Sequence, residues 1–225
     1  MTSSHGGKKM WCVPELDDAY IERMEDVLDV YEKPINEKEP VVCLDEKPIQ
    51  LLSDKRKGTA AKPGKVAQKD YEYVREGTAN VFCAVEPKVG RHFEYVTENR
   101  KGSEFAKVIN RLSKKYPEAN TIHLVIDNLN THTQKSLTDF YGKEKGCQLW
   151  NRFTVHYTPK HASWLNQAEI EISLYSKQCL GKDRIPDIQL LRSRTNAWNK
   201  QVNKKRIKIS WKFTKEKAKE KFQYN

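Results

Sequence analysis

The chain lacks any apolar run near the roughly 18 residues that a bilayer-spanning helix needs. Its opening stretch, MTSSHGGKKM, has no apolar core of the kind a signal peptide carries. A membrane or secreted protein is therefore not expected, and a cytoplasmic one is. Cysteine is sparse and unpatterned: Cys12, Cys43, Cys83, Cys147 and Cys179 form no CxxC pair and show no His spacing suited to zinc. Cys43 and Cys83 stand inside apolar runs, where a reduced thiol packs as a small hydrophobe. All five read as reduced and structural. A GxxxxGK[ST] phosphate loop is missing as well, since KPGKV has neither the spacing nor the hydroxyl. That argues against a nucleotide hydrolase, even though VVCLDE resembles the acid-ended strand of one. Internal repeats and coiled-coil heptads are likewise absent.

Positive charge is what the chain has in excess, with a net +11. It is unevenly spread. Residues 14–46 hold twelve acids against three basic residues, whereas residues 200–221 hold ten basic residues against two acids. Residues 55–75, KRKGTAAKPGKVAQKDYEYVR, hold seven basic residues against two acids. Basic segments interleaved with aromatic residues suit a polyanion, most economically nucleic acid. The 225 residues suffice for one domain with its own core.

Periodicity divides the chain into alternating elements. PELDDAYIERMEDVLDVYEK (14–33) predicts a helix with acids in its first turn. VVCLDEKPIQLL (41–52) opens as a buried strand ending at Asp45-Glu46. The basic 55–75 stretch, with Gly58, Pro63 and Gly64, predicts a long loop. TANVFCAVEPKVGRHFEYVT (78–97) predicts a hairpin, residues 103–115 a helix, and TIHLVID (121–127) a second buried strand. A short helix within 133–144, a strand at 152–158, and helices at 165–180 and 187–202 follow. The order predicts an α/β layered domain, with its middle strands parallel and covered on both faces. Trp164 and Trp198 read as core residues.

Two buried strands end in aspartate, at Asp45 and Asp127. Parallel strands bring such ends to one edge, where open α/β sheets bind ligands. Paired carboxylates there repel unless a cation lies between them, and oxygen donors of this kind suit Mg²⁺ or Mn²⁺. WLNQAEIEIS offers a third acid. Glu169 and Glu171 lie two apart on a helix, so they point about 200° apart and cannot both face one site. Leu165, Ala168, Ile172 and Tyr175 make a candidate core face, with Glu169 flanking it and Glu171 turned to solvent.

VVCLDEKPIQL, DYEYVREGTANVF, VIDNLNTHT and HYTPKHASWLNQAEIE, in this order and spacing, resemble the DDE transposases of the bacterial insertion-sequence group related to mariner elements. The resemblance implies a ribonuclease H-like fold, a mixed five-stranded sheet flanked by helices. It matches Asp45, Asp127 and Glu169 to the catalytic, metal-holding acids, with Glu171 kept as a minor alternative because FYGKEKGCQLWN looks like an insertion between the second and third acids. It further implies two divalent ions, Mg²⁺ or Mn²⁺, and cleavage of double-stranded DNA followed by 3′-OH strand transfer at transposon ends and target. A homodimer on DNA, associated with the bacterial nucleoid, completes the expectation. Relatives carry helix-turn-helix modules ahead of the catalytic domain, which are not evident before residue 14; a separate chain supplying them, or a shortened copy, is expected. A non-catalytic DNA-binding remnant and a nuclease on the same fold are the alternatives.

By that resemblance the chain divides into an N-terminal linker and helix (1–39), a catalytic domain (40–203) and a basic tail (204–225). His132, Lys160 and His161, just beyond strand ends, are candidate phosphate contacts. Lys55, Arg56, Lys62, Lys65 and Arg75, on or beside the long loop, are candidate backbone contacts giving salt-dependent, largely sequence-independent affinity.

Overall fold

Alternation of apolar side chains along the strands sets the layers of the molecule. In this computed structural model, which describes residues 16–224, strands β1 (Val41–Asp54), β2 (Tyr73–Glu86), β3 (Arg91–Thr97), β4 (Ile122–Ile126) and β5 (Phe153–Tyr157) form one sheet in the order β3-β2-β1-β4-β5. β1, β2 and β3 are antiparallel neighbours, while β4 and β5 run parallel to β1. Val42, Leu44, Phe82, Ala84, Leu124 and Ile126 point to one face and meet helix α2 (Gly102–Ser113) through Phe105, Val108, Ile109 and Leu112. Cys43, Val85 and Val125 point to the other, against α1 (Asp18–Glu32). On that second face Val81 and Cys83 meet α5 (Ala168–Tyr175) and α6 (Ile188–Lys205) through Tyr175, Leu191 and Trp198. Period-two alternation thus yields a sheet covered on both sides.

β1 does not end at Asp45. It runs on to Asp54, through Pro48. The main-chain carbonyl of Leu44 and the N–H of Leu52 both turn away from β2, meeting Asn166 and Ile185. Pro48 is in step with them, so its missing N–H faces the side where no strand pairs, and the ladder to β2 is unharmed. The basic stretch after β1 is shorter than 55–75 and is not irregular. β2 begins at Tyr73, and Thr59–Gln68 and Lys62–Lys65 pair across the excursion, which makes it the tip of a long β1–β2 arm. A bulge at Glu76 bends that arm, since Leu51 pairs Gly77 while Leu52 pairs Arg75. Arg184 braces the base by donating to Asp54 and to the carbonyls of Tyr71 and Glu72.

The FYGKEKGCQLWN segment folds as the end of α3 (Gln134–Tyr141) and a further helix, α4 (Lys143–Trp150). Pro14 and Cys12 lie outside the described residues; α1 starts at Asp18, with the Asp17 carboxylate accepting the Tyr20 N–H at 2.7 Å. The four described cysteines are all free. Trp198 is buried, but Trp164 is 40% exposed and packs edge-on to Phe213.

Residues 204–222 do not trail away. Ile209 donates to the Pro87 carbonyl, Trp211 packs edge-on to Tyr31, and α7 (Lys215–Phe222) lies on α1 with Ala218 fully buried. Lys215 pairs with Glu25 at 3.0 Å and Asp29 at 3.1 Å. Part of the acidic N-terminal charge and part of the basic C-terminal charge therefore satisfy one another. The β2–β3 turn is clamped by the same returning segment. Gly90 has φ +71°, and a Cβ there would lie 2.6 Å from the carbonyl carbon of Arg206. Gly90→Ala is expected to lower the melting temperature by roughly 5 °C, about 2 kcal/mol for a chain of this size, measurable by circular dichroism.

Candidate active site

The parallel pairing of β1 with β4 covers only Val41–Cys43 against His123–Val125. Beyond it the two strands no longer bond, and Asp45 on β1 and Asp127 just past β4 stand at the mouth of that gap. Asn166 fills its floor. Its side-chain amide donates to the Leu44 carbonyl at 2.9 Å, and its side-chain carbonyl accepts the Ala168 N–H at 3.1 Å. One 1%-exposed residue thereby ties the strand carrying Asp45 to the first turn of the helix carrying Glu169. Tyr31 of α1 locks the same turn, donating to the Leu165 carbonyl at 2.8 Å and accepting the Gln167 N–H at 3.3 Å.

Crowding of carboxylates is visible in Asp45. Burial first, then the negative charges of Glu169, Glu46 and Asp127, push its carboxyl up to about 7, against the pull of the Glu46 N–H it accepts at 2.7 Å. Asp127 is treated oppositely. Burial acts to raise it, but His132, the Leu129 N–H and the charge of Arg100 hold it below the ordinary carboxylate range. Two acids at one edge thus have divergent proton affinities.

His132 is not a phosphate contact in this arrangement. Its side chain is fully buried, bonded through Nδ1 to Asp127 at 2.6 Å and ion-paired through Nε2 to Glu46 at 3.1 Å, with Phe105 against the ring. Burial would lower its pKa, but the two carboxylates outweigh it and lift the ring to about 9, so it is an imidazolium at neutral pH. It positions Asp127 from behind. Its spacing, five residues after Asp127 in DNLNTH, is the signal that could have placed it there.

The two helix acids diverge as helical geometry requires, but the inward one is Glu171. α5 buries Ala168, Glu171 and Tyr175, a spacing of three and four, and leaves Glu169 exposed. Glu171 is 1% exposed and bonds His92 Nδ1 on β3 at 2.8 Å. The polar partner on β3, which a helical wheel does not contain, is why the expectation of a solvent-facing Glu171 fails. Glu169 is the one whose charge reaches Asp45.

Lys160 and His161 are exposed at the turn after β5, with His161 in the left-handed region at φ 63°. Thr158 next to them still bonds the Ile126 carbonyl, so this turn adjoins Asp127. The arm residues lie elsewhere. Asp54 is nine residues beyond Asp45 on β1, which at about 3.3 Å per residue sets the arm's base roughly 30 Å away. Lys55 and Arg56 are partly neutralised by Glu72 and Asp70, while Lys62, Lys65 and Arg75 are exposed. Asn166, Tyr31, Arg100 and Arg184 are contributors that the sequence did not single out.

Among the described residues no three His, Cys, Asp or Glu side chains stand in a ligating array. The fit to a divalent cation is one of chemistry: hard oxygen donors at one edge, with Asp45 under repulsion that a cation would relieve.

A family model described as DDE superfamily endonuclease matches residues 40–192. Among solved structures, the chain is similar to the Mos1 mariner paired end complex with Mn, at 18% identity and a TM-score of 0.57, covering 88% of this chain and 60% of that one. It is similar also to the Mos1 transposase paired-end complex with left transposon end, at 18% identity and TM-score 0.56 over 88% and 60% of the two chains. For the Mos1 Strand Transfer Complex the values are 15%, 0.56, 88% and 59%. The chain spans about 60% of the length of these solved chains. At such identity the likeness speaks for the fold, which is the ribonuclease H-like one expected. No curated protein matches the chain significantly.

Loss of His132 should be read out in stability. Its folded-state pKa of about 9 lies above the ordinary 6.5, so the folded chain holds a proton that the unfolded chain has released. That contribution is fully present below about pH 6.5 and is lost as pH rises through about 9. In metal-free protein, wild-type melting temperature is expected to fall across this window and His132→Gln to lack that fall. His132→Ala, which leaves Glu46 buried without its counter-charge, should cost on the order of 3 kcal/mol.

Proposed function

The chain belongs to the DDE superfamily endonucleases, and from that premise we propose that it is the catalytic domain of a DNA transposase. In this reading Asp45, Asp127 and Glu169 hold two divalent ions, Mg²⁺ or Mn²⁺, and the substrate is double-stranded DNA at transposon ends and target. When bound, such ions would make a water or a DNA 3′-OH a better nucleophile and stabilise the departing oxygen. The observation that carries the proposal is the state of Asp45, whose carboxyl is lifted to about 7 by burial and by Glu169, Glu46 and Asp127. A buried carboxyl crowded by other acids and given no counter-charge of its own, as Asp45 is, is poised for cations.

The chain's own residues prepare that edge. His132 keeps Asp127 ionised and fixes its direction through the 2.6 Å bond. Asn166 and Tyr31 hold the start of α5 against β1, which sets Glu169 relative to Asp45. No side chain is assigned as general base: His132 is buried and committed to two carboxylates. Lys160 and His161 border Asp127 and would meet phosphates flanking the scissile bond. The arm, with Lys62, Lys65 and Arg75 exposed, would meet the same duplex nearly a helical turn away, ordering against its backbone. A homodimer on DNA belongs to the same reading.

The test is nicking of supercoiled DNA, and joining of a 3′-OH oligonucleotide to it, with Mg²⁺ or Mn²⁺. Asp45→Asn, Asp127→Asn and Glu169→Gln are each expected to lower the rate by a factor on the order of 10³, equivalent to about 4 kcal/mol in the barrier. Glu171→Gln should instead lower the melting temperature and leave residual nicking. Full activity in excess EDTA would overturn the metal mechanism. Nicking without joining would make the chain a nuclease, and DNA binding without either would make it a remnant.

A further inference from the structure

A cavity of about 800 Å³ lies away from the acid-bearing edge. It lies along β3, the free edge of the sheet, between α2 on one face and α6 on the other. Six cations line it: Arg91 from β3, Arg111 from α2, Lys115 in the turn just past α2, Arg192 and Lys200 from α6, and Arg206 at its end. Arg91 is partly held by Glu86 at 3.5 Å and lies over the Tyr116 ring, and Arg111 lies over Tyr95. Among the described residues Lys115, Arg192, Lys200 and Arg206 have no carboxylate within ion-pair distance. All four are exposed. The one acid in the lining, Glu94, is 5% exposed; burial and the neighbouring Glu171 raise its pKa well above the ordinary value, so it does not offset these charges.

The spacing is helical on the α6 wall, where Arg192, Asn196 and Lys200 follow at successive intervals of four; opposite, Arg111 stands in the last turn of α2 and Lys115 just beyond its end. From residue 192 to residue 206 the α6 wall extends roughly 21 Å at 1.5 Å per residue, enough to follow several consecutive phosphates. Four of the six cations are arginines, whose planar fork suits phosphate oxygens.

A peptide adding itself as a strand is disfavoured here. The outer main-chain groups of β3 are already taken: Asn203 accepts the His92 N–H at 3.0 Å and donates to the His92 carbonyl at 2.7 Å, and Asn199 donates to the Glu94 carbonyl at 3.4 Å. The α6 amides close the edge, and what remains open is a wide trough of positive charge.

We propose that this trough, on the β3 edge two strands across the sheet from Asp45, is a second duplex-DNA site that grips the phosphate backbone without reading bases. It rests on the reading that the chain acts on DNA, and assigns contacts on a surface separate from the β1–β2 arm and from the Lys160–His161 turn. A duplex lying there would be a segment other than the one being cut.

Binding of a fluorescent duplex of arbitrary sequence to the full chain, measured by anisotropy in EDTA across a range of salt, tests it. Arg192→Gln with Lys200→Gln, and Arg111→Gln with Lys115→Gln, are each expected to reduce the slope of log affinity against log salt by about 2, at roughly 0.9 per phosphate contact, and to weaken binding at least about tenfold at low salt. Lys217→Gln with Lys221→Gln, on α7, should leave both unchanged. Arg192→Lys with Lys200→Arg should retain the slope, which separates lost charge from lost folding. Wild-type slopes in the two trough variants, or an equal loss in the α7 variant, would overturn the proposal. Loss of polyglutamate binding with DNA binding intact would overturn it too, in favour of a protein partner. EDTA stops metal-dependent cleavage, so a chain that binds through the trough but never nicks with metal keeps this site and loses the catalytic one, and the converse result does the reverse.

Discussion

The pairing of β1 with β4 stops after three residues, and the candidate site depends on where it stops. A longer ladder would pair the main chain around Asp45 with the stretch beyond Ile126 and close the gap between the acids. Because it ends at Cys43 and Val125, the Leu44 carbonyl needs another partner, and Asn166 supplies it. That single amide then also caps the first turn of α5. Satisfying one orphaned backbone group is thus what draws the third acid toward the first.

Bringing carboxylates together is costly, and the protein spreads the cost unevenly. Asp127 is held ionised by an imidazolium shared with the buried Glu46. Asp45 has no such partner and retains its proton more tightly. Deeper under the sheet, Glu171 and Glu94 form a second acidic cluster, with Glu171 bonded to His92. The molecule therefore has two acidic centres on one face, one open at the β1–β4 end and one sealed beneath α5. Each has its histidine, and they differ in burial: Glu169 is exposed, whereas Glu171 and Glu94 are 1% and 5% exposed.

The positive charge is partitioned in a comparable way. Some of it is structural, as Lys215 shows against Glu25 and Asp29, and as Arg184 shows at the base of the arm. Some is unpaired and gathered on surfaces: the arm tip, the turn after β5, and the trough along β3. Counting charges by segment merges these classes, because ion pairing across more than a hundred residues of chain does not register in local composition.

Alternating apolar residues were enough to read the α/β layers, the hairpin and Asp127 just past the end of β4, because strand period and burial are local properties, whereas Asp45 lies within β1 rather than at its end. Helical angle was enough to say that Glu169 and Glu171 part company. It was not enough to say which of them turns inward, because that depends on His92, which arrives from another strand. The continuation of β1 past Pro48 was hidden for the same reason: a proline is harmless where no neighbour pairs, and pairing is a tertiary fact. His132, Asn166 and the folded C-terminal segment acquire their roles only from partners distant in the chain. The three candidate acids were singled out from sequence, but Arg100 and the role of His132 were not; the tertiary structure alone decided which charges are paired inside the fold and which face outward.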